Sequence, residues 1–468
     1  MKKAIALLVL AAALPLSAAE PNYVHDQLLV RISPNILAPK FHSFVEHDLI
    51  SLTSAKTIRD FPNVGWKLIQ LPRGTDLRTA KRRIAKYADR NAIRIETALD
   101  LIVRIPHERS KPMRRAKSAP KETIPNDEYF PQLWGMQNTG QFIDCAPGSG
   151  APGVDIQAPA AWSVWTGDAS VVVAVIDDGV DKTHPDLITN IWTNPGEIEG
   201  NGIDDDGDGV VDDVHGFDAR RKTGDTDPPS PHATHCAGTA GAIGNNNIGV
   251  SGVNWTTSIL SIRIADTDGT TSSSVVMAAF DYVIMMKNRG VNIRVTSNSW
   301  GNDGRGPEAY SQPQKDAIDA AGALGIVNVF AAGNYSDGNN DADPVYPASY
   351  DSPSILSVTS NAFDGTKAFN ACWGAHTVDL AAPGMTILST VPSPVLYACM
   401  TGTSMATPHV AGAAALLLSR RPQLTVAEVK ELITSTVTPL PRSWQLTPTK
   451  TNGMLNLAAA MAKLEAMH

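Results

Sequence analysis

Residues 402–409 read G-T-S-M-A-T-P-H and run into the small, apolar stretch 410–418. The pattern puts Ser404 where a glycine turn meets the start of a buried helix. The first N–H groups of a helix have no partner within it, and with the helix dipole they favour negative charge. A hydroxyl held there suits a nucleophile whose reaction builds up an oxyanion. Such a hydroxyl needs a base to take its proton, and the base needs an anion to orient it. Both occur upstream. Residues 170–176, S-V-V-V-A-V-I, form a continuous β-branched run and end in Asp177-Asp178-Gly179. That is the pattern of a parallel strand buried on both faces, with Asp177 at its carboxyl end, where open α/β sheets carry their sites. Residues 231–239, P-H-A-T-H-C-A-G-T, read as the start of another helix and offer His232 and His235. Asp, His, Ser is one of the known chain orders of a serine triad.

The strings V-A-V-I-D-D-G-V-D, H-A-T-H-C-A-G-T, A-A-G-N (331–334) and G-T-S-M-A-T-P-H stand in one order over residues 126–460. In this they resemble the subtilisin-like serine peptidases. The resemblance implies Ser404 as nucleophile, His232 as general base and Asp177 as its orienting anion. His235 is then a packing histidine. Asn334 matches the oxyanion-hole asparagine, and Ser299-Trp300-Gly301 the edge strand that pairs with a peptide substrate. Three departures stand out. Asp178 replaces a Thr or Ser, a kexin-like touch shared by the string S-N-S-W-G. Ala233 replaces a Gly beside the base, where a methyl could crowd it. Residues 369–374, F-N-A-C-W-G, replace a serine-rich string.

Two loops suit calcium. Asp204, Asp206 and Asp208 have the i, i+2, i+4 spacing of a calcium loop, with Gly209 at its turn. His215 stands where an EF-hand has its last glutamate, so Asp212 or Asp213 must complete the shell; Asp212 is the expected ligand. Six carboxylates within residues 204–213 repel one another without a cation. The second loop rests on the resemblance, which implies Asp127, Asp186, the Asn246 side chain and the main-chain carbonyls of Gly244, Ile248 and Val250 as calcium ligands.

The elements that must position these groups alternate. Strand-like runs lie at 170–176, 259–264, 291–297, 325–330 and 354–358. Helix-like runs lie at 272–287, 311–323, 404–419 and 425–436. The alternation predicts an α/β fold with helices on both faces of a mainly parallel sheet, the three-layer subtilisin-like architecture that the resemblance implies. Residues 20–105 read as a small α+β module, with strands at 26–32, 65–71 and 93–105 and a basic amphipathic helix at 77–90. By position it resembles a propeptide. Residues 106–125, with four prolines and six Lys or Arg, read as an exposed linker and a place of cutting. The expected division is 1–19 signal peptide, 20–105 propeptide, 106–125 linker and 126–468 catalytic domain, with no further domain after residue 460.

Lys2 and Lys3, the apolar run 4–14 and Ser17-Ala18-Ala19 read as a signal peptide, too short to span a bilayer. The product is expected to be secreted, extracellular or periplasmic, and to leave the membrane once the signal is removed. The net charge of −8 divides unevenly: residues 20–125 hold 20 Lys and Arg against 11 Asp and Glu, and residues 126–468 hold 17 against 36. A basic module beside an acidic domain suggests electrostatic pairing between them and argues against nucleic acid as a partner. The expected partners are protein or peptide substrates and the chain's own propeptide, with the enzyme a monomer. Of Cys145, Cys236, Cys372 and Cys399, Cys236 reads as a small buried thiol, and the expected disulfide is Cys372–Cys399. Other readings are an inactive homologue acting as a binding module, a metallohydrolase, which lacks its H-E-x-x-H, and a narrow processing peptidase for basic sites.

Overall fold

The computed structural model describes residues 22–33, 39–91, 93–106, 111–112, 123–146, 148–336 and 338–467. The expected signal peptide and most of the expected linker lie outside them. In chain order the elements are β1 (Tyr23–Ile32), α1 (Pro39–Thr53), β2 (Lys56–Phe61), β3 (Trp66–Gln70), α2 (Leu77–Asn91), β4 (Ile95–Arg104), β5 (Lys111–Pro112), α3 (Ala158–Trp162), β6 (Val172–Asp177), β7 (Gly216–Asp218), α4 (His232–Gly241), β8 (Ser258–Arg263) and β9 (Thr270–Ser272). There follow α5 (Ser273–Asn288), β10 (Ile293–Asn298), β11 (Gly301–Asn302), α6 (Gln312–Ala323), β12 (Val327–Ala331), β13 (Ile355–Asn361), β14 (Leu380–Pro383), β15 (Ile387–Thr390), β16 (Tyr397–Met400), α7 (Thr403–Arg420), α8 (Val426–Ser435), β17 (Thr438–Pro439), β18 (Gly453–Met454) and α9 (Leu457–Ala466). Helices α1 and α9 were not anticipated from the sequence.

β6 shows why the sequence makes this fold. Every residue from Val172 to Asp177 is buried, because its side chains alternate between two cores. Val173 and Val175 join the core that holds α4 and α7. Val172, Ala174 and Ile176 join the core that holds α5 and α6. The sheet order is β17-β18-β14-β13-β12-β10-β6-β8-β7, and its strands pair in parallel except at β17–β18. Helices on both faces give the three-layer α/β arrangement. α7 is buried along nearly its whole length, matching the apolar run after Ser404.

The N-terminal module is an antiparallel sheet, β2-β3-β1-β4. One face carries α2, which buries Leu77, Ala80, Ile84 and Ala88 at helical spacing. From the other face Leu29, Trp66, Leu68 and Val103 enter the α5–α6 core of the main domain. The rim of this contact is polar and includes one ion pair among three hydrogen-bonded contacts. Arg31 bridges to Asp316, the Trp66 indole N–H donates to Asp316 at 2.9 Å, and the Arg59 guanidinium donates to the Ala219 carbonyl at 2.8 Å. Asp100 is fully buried and accepts from the Ser274 N–H and hydroxyl in the first turn of α5. Burial pushes its carboxyl up to about 6.

Candidate active site

Asp177 ends β6 and His232 begins α4, so strand and helix termini meet at one buried point. His232 Nδ1 lies 2.8 and 3.0 Å from the two Asp177 carboxylate oxygens. A carboxylate only accepts, so Nδ1 carries the proton and Nε2 is the basic position. Asp178 has a different task. It accepts from the Ala233 N–H at 2.9 Å and from the Ser230 hydroxyl, tying the start of α4 to the end of β6. Burial, then the Asp177 charge, pushes its carboxyl up. This accounts for a carboxylate where the resemblance has Thr or Ser, and Ala233 is accommodated fully buried. His235 is the packing histidine expected: its Nε2 lies 2.9 Å from the Ile387 carbonyl, and burial pulls it down to about 3.

Ser404 is the second residue of α7. Its hydroxyl donates to the Ser299 carbonyl at 3.3 Å, and the Ser299 hydroxyl returns a 2.8 Å bond to the Ser404 carbonyl. That carbonyl is free to accept because its helical partner four residues on is Pro408, which has no N–H. The Cys236 thiol also reaches it, at 3.4 Å. The strings T-S and T-P therefore act together to couple β10's end, α4 and the candidate nucleophile. Asn334 follows β12. Its Oδ1 accepts from the Thr403 N–H and hydroxyl at 3.0 and 3.1 Å. The acceptor end of the amide is thus taken, leaving the Nδ2 donor end for an oxyanion. Thr403 and the Ser299 hydroxyl were not singled out from the sequence; their adjacency to Ser404 and Trp300 was the available signal.

A cavity of about 300 Å³ lies over these groups, lined by Ser299, Asn334, Thr403 and Ser404 from the main domain and by Arg104, Ile105 and Pro106 from the N-terminal module. β4 reaches it as a shared strand, antiparallel to β11 on one side and to β9 on the other. Gly301, the last residue of the expected substrate strand Ser299–Gly301, is thus paired to the chain's own Arg104. The Trp300 indole is core, donating to the Ile176 carbonyl at 2.9 Å.

Both acidic loops collect oxygen. Asp127 accepts from the N–H groups of Asn245 and Asn246. Asp186 accepts from the Asn246 side chain at 2.7 Å and the Val250 N–H at 2.8 Å. Burial pushes Asp186 up to about 7, and the Asp127 charge adds to it. Gly244, Ile248 and Val250 lie on the same turn. In the second loop Asp204, Asp206 and Asp208 offer one oxygen each within 4.8 Å of one another, and so do Glu197, Asp206 and Asp213. Asp208 Oδ2 and Glu197 Oε2 are buried without a hydrogen-bond partner. Two orphaned carboxylate oxygens in an all-oxygen cluster fit a hard divalent cation. The expected ligand Asp212 stands outside both groups. It sits at φ 53°, and its carboxylate turns away to accept from the N–H groups of Asn201 and Gly202. Asp213 and Glu197 face the cluster instead.

The expected Cys372–Cys399 pairing is corrected. The disulfide joins Cys145 to Cys399, 254 residues apart. Cys372 is a buried thiol packed with Ala332, Val345 and Val378. Cys236 is a buried thiol, as expected.

Comparisons with known proteins bear on this geometry. The family model described as "Subtilase family" matches residues 168–458. A subtilisin of Bacillus pumilus is 34% identical over 306 residues, 65% of this chain and 96% of that protein. Subtilisin-like protease 1 of Plasmodium berghei is 30% identical over 345 residues, 70% of this chain and 53% of its own length, so the chain spans about half of that relative. The crystal structure of fervidolysin from Fervidobacterium pennivorans, described as a keratinolytic enzyme related to subtilisin, superimposes with a TM-score of 0.69. The match is at 23% identity and covers 94% of this chain and 61% of that one; it speaks for the fold.

Proposed function

This chain belongs to the subtilase family of serine peptidases, and we propose that it is a secreted, calcium-stabilised endopeptidase made as a zymogen. The observations that support the reading are two: His232 Nδ1 is held on the Asp177 carboxylate, and Asn334 and Ser404, at the start of α7, line a strand-edged cleft together. In the proposed cycle the Ser404 hydroxyl attacks a peptide carbonyl and His232 Nε2 takes the proton. Asp177 holds the ring in that tautomer and stabilises the imidazolium. The Asn334 amide N–H₂ and the Ser404 main-chain N–H receive the oxyanion. His232 then protonates the leaving amine, and a water deprotonated by His232 releases the acyl group. The main-chain ladder on Ser299–Gly301 binds peptides largely irrespective of side chain.

The zymogen part is supported by Arg104–Pro106, which line the cleft in the place of a substrate. Calcium would be held by Asp204, Asp206, Asp208, Asp213 and Glu197 in one loop. In the other, Asp127, Asp186, Asn246 and the carbonyls of Gly244, Ile248 and Val250 would hold it. The ion would screen carboxylate repulsion and take no part in the chemistry. Export rests on residues 1–19; among the described residues no helix is long and apolar enough to cross a membrane. The test is Ser404→Ala in the full chain. The expected result is loss of turnover on a chromogenic peptide and a precursor left uncut between residues 106 and 125. Normal self-processing of the pure variant contradicts the proposal.

A further inference from the structure

The strand that fills the cleft carries one charged side chain between two buried apolar ones. Val103 is fully buried and Ile105 is 4% exposed, whereas Arg104 reaches sideways to an acid. Arg104 Nε lies 3.0 Å from Asp303 Oδ1, and the Asp303 carboxylate is itself only 22% exposed. Asp268, at the head of the opposite edge strand, adds its field to the same guanidinium. The other groups around Asp303 leave its charge in place. Asn22 donates a neutral amide to it at 2.6 Å. The neighbouring cation Arg305 is occupied with Asp343, through its carbonyl at 3.1 Å and its carboxylate at 3.4 Å.

The ladder fixes which substrate position this acid meets. β4 runs antiparallel to β11 with Val103 opposite Asn302 and Arg104 opposite Gly301. The Asp303 N–H donates to the Ile102 carbonyl at 2.9 Å, and the Ile105 N–H to the Gly269 carbonyl at 2.9 Å, which lock the same register from both edges. Continuing the antiparallel step brings position 105 to Trp300 and position 106 to Ser299. Ser299 is the residue whose carbonyl receives the Ser404 hydroxyl. A peptide in this register therefore delivers the residue opposite Ser299 to the nucleophile, and the residue opposite Gly301 lies two positions earlier.

Resting on the peptidase reading above, we propose that Asp303, seconded by Asp268, is a specificity-determining residue that favours Lys or Arg two positions before the residue acylated on Ser404. The substrate class is polypeptides with a basic side chain at that place, flanked by apolar residues. When the N-terminal module leaves, the carboxylate faces the open cleft. A partly exposed ion pair changes an equilibrium by up to about five-fold, and a like charge in the same place is disfavoured. The Arg-to-Glu preference is therefore about ten-fold.

The experiment uses enzyme obtained by expressing the full chain. Three fluorogenic peptides differ only in carrying Arg, Ala or Glu two residues before the bond that mass spectrometry shows to be cut. At low salt kcat/KM should favour Arg over Glu by about ten-fold, and the ratio should shrink at 1 M salt, where the Debye length is about 3 Å. D303N should bring the ratio to about two, and D303K should invert it. A ratio near one in the wild-type enzyme overturns the inference, as does an unchanged ratio in both variants. Cleavage of the Ala peptide without charge preference removes this inference and leaves the peptidase reading standing. Cleavage of none of the three removes both.

Discussion

The chain clusters carboxylates in two places and treats them differently. At the end of β6, Asp177 and Asp178 are buried side by side, and their charge is met by protein donors: a histidine ring, an N–H at the start of α4 and a serine hydroxyl. Around residues 197–213 the donors run out. Asn194, Tyr282 and Arg289 serve Asp206 and Asp213, while Asp208 Oδ2 and Glu197 Oε2 have none. Complete satisfaction pins a geometry, as proton transfer requires. Incomplete satisfaction leaves a field that an ion can answer. In the reading proposed above, the same residue type would serve chemistry in one place and ion-dependent stability in the other.

If the first cluster is catalytic, Asp177→Asn should lower kcat by about 10⁴, because the amide donates where the ring must donate and so favours the wrong tautomer. Folding should change far less, which thermal melting checks. Asn334→Ala should cost about 10²–10³ in kcat with a smaller change in KM, since the missing donor acts on the oxyanion. Substitutions in the second cluster should show the converse pattern. Calcium at 100 times its dissociation constant should add about 2.7 kcal/mol per independent site. The melting temperature should rise with calcium and barely with sodium at equal ionic strength. Asp213→Asn should remove most of the gain from this loop, and Asp212→Asn should keep it. Equal loss from both variants would erase the distinction drawn between those neighbours.

Much of the first cluster was legible because each part is a local string. A β-branched run ending in Asp177, a histidine at a helix start and a glycine turn before Ser404 each follow from a few adjacent residues. The second cluster was legible only in part. The carboxylate spacing at 204–208 showed in the sequence, but Asp212 sits in a left-handed turn with its carboxylate on the Asn201 and Gly202 N–H groups, and it is Asp213 that lies beside Asp206. Glu197 lies too far upstream to belong to the pattern. The disulfide failed for a related reason: Cys145 and Cys399 are brought together by the fold across 254 residues, and nothing near either cysteine marks its partner. Helix α9 was missed although its signals are local: Asn456 caps it and Ala-rich sequence follows.

A third buried carboxylate offers the smallest effect. Asp100 is pushed up to about 6 by burial against α5, from an ordinary value of about 3.9. With the module docked it therefore holds its proton to higher pH than when free. Docking binds protons between those values, so affinity falls as pH rises from about 4 to about 6 and levels off above. The slope should approach ten-fold per pH unit, read as inhibition by the separate module across that range. Asp100→Asn should flatten it, and a slope unchanged in that variant would assign the pH dependence elsewhere.

The central claim is that Ser404 is the nucleophile activated by His232. The direct measurement is intact mass and peptide mapping after exposure to a serine-directed phosphonate. The account predicts one adduct per active molecule, on Ser404, forming in step with loss of peptide turnover and absent in His232→Ala. An adduct on another residue, or full turnover persisting with Ser404 modified, would contradict it.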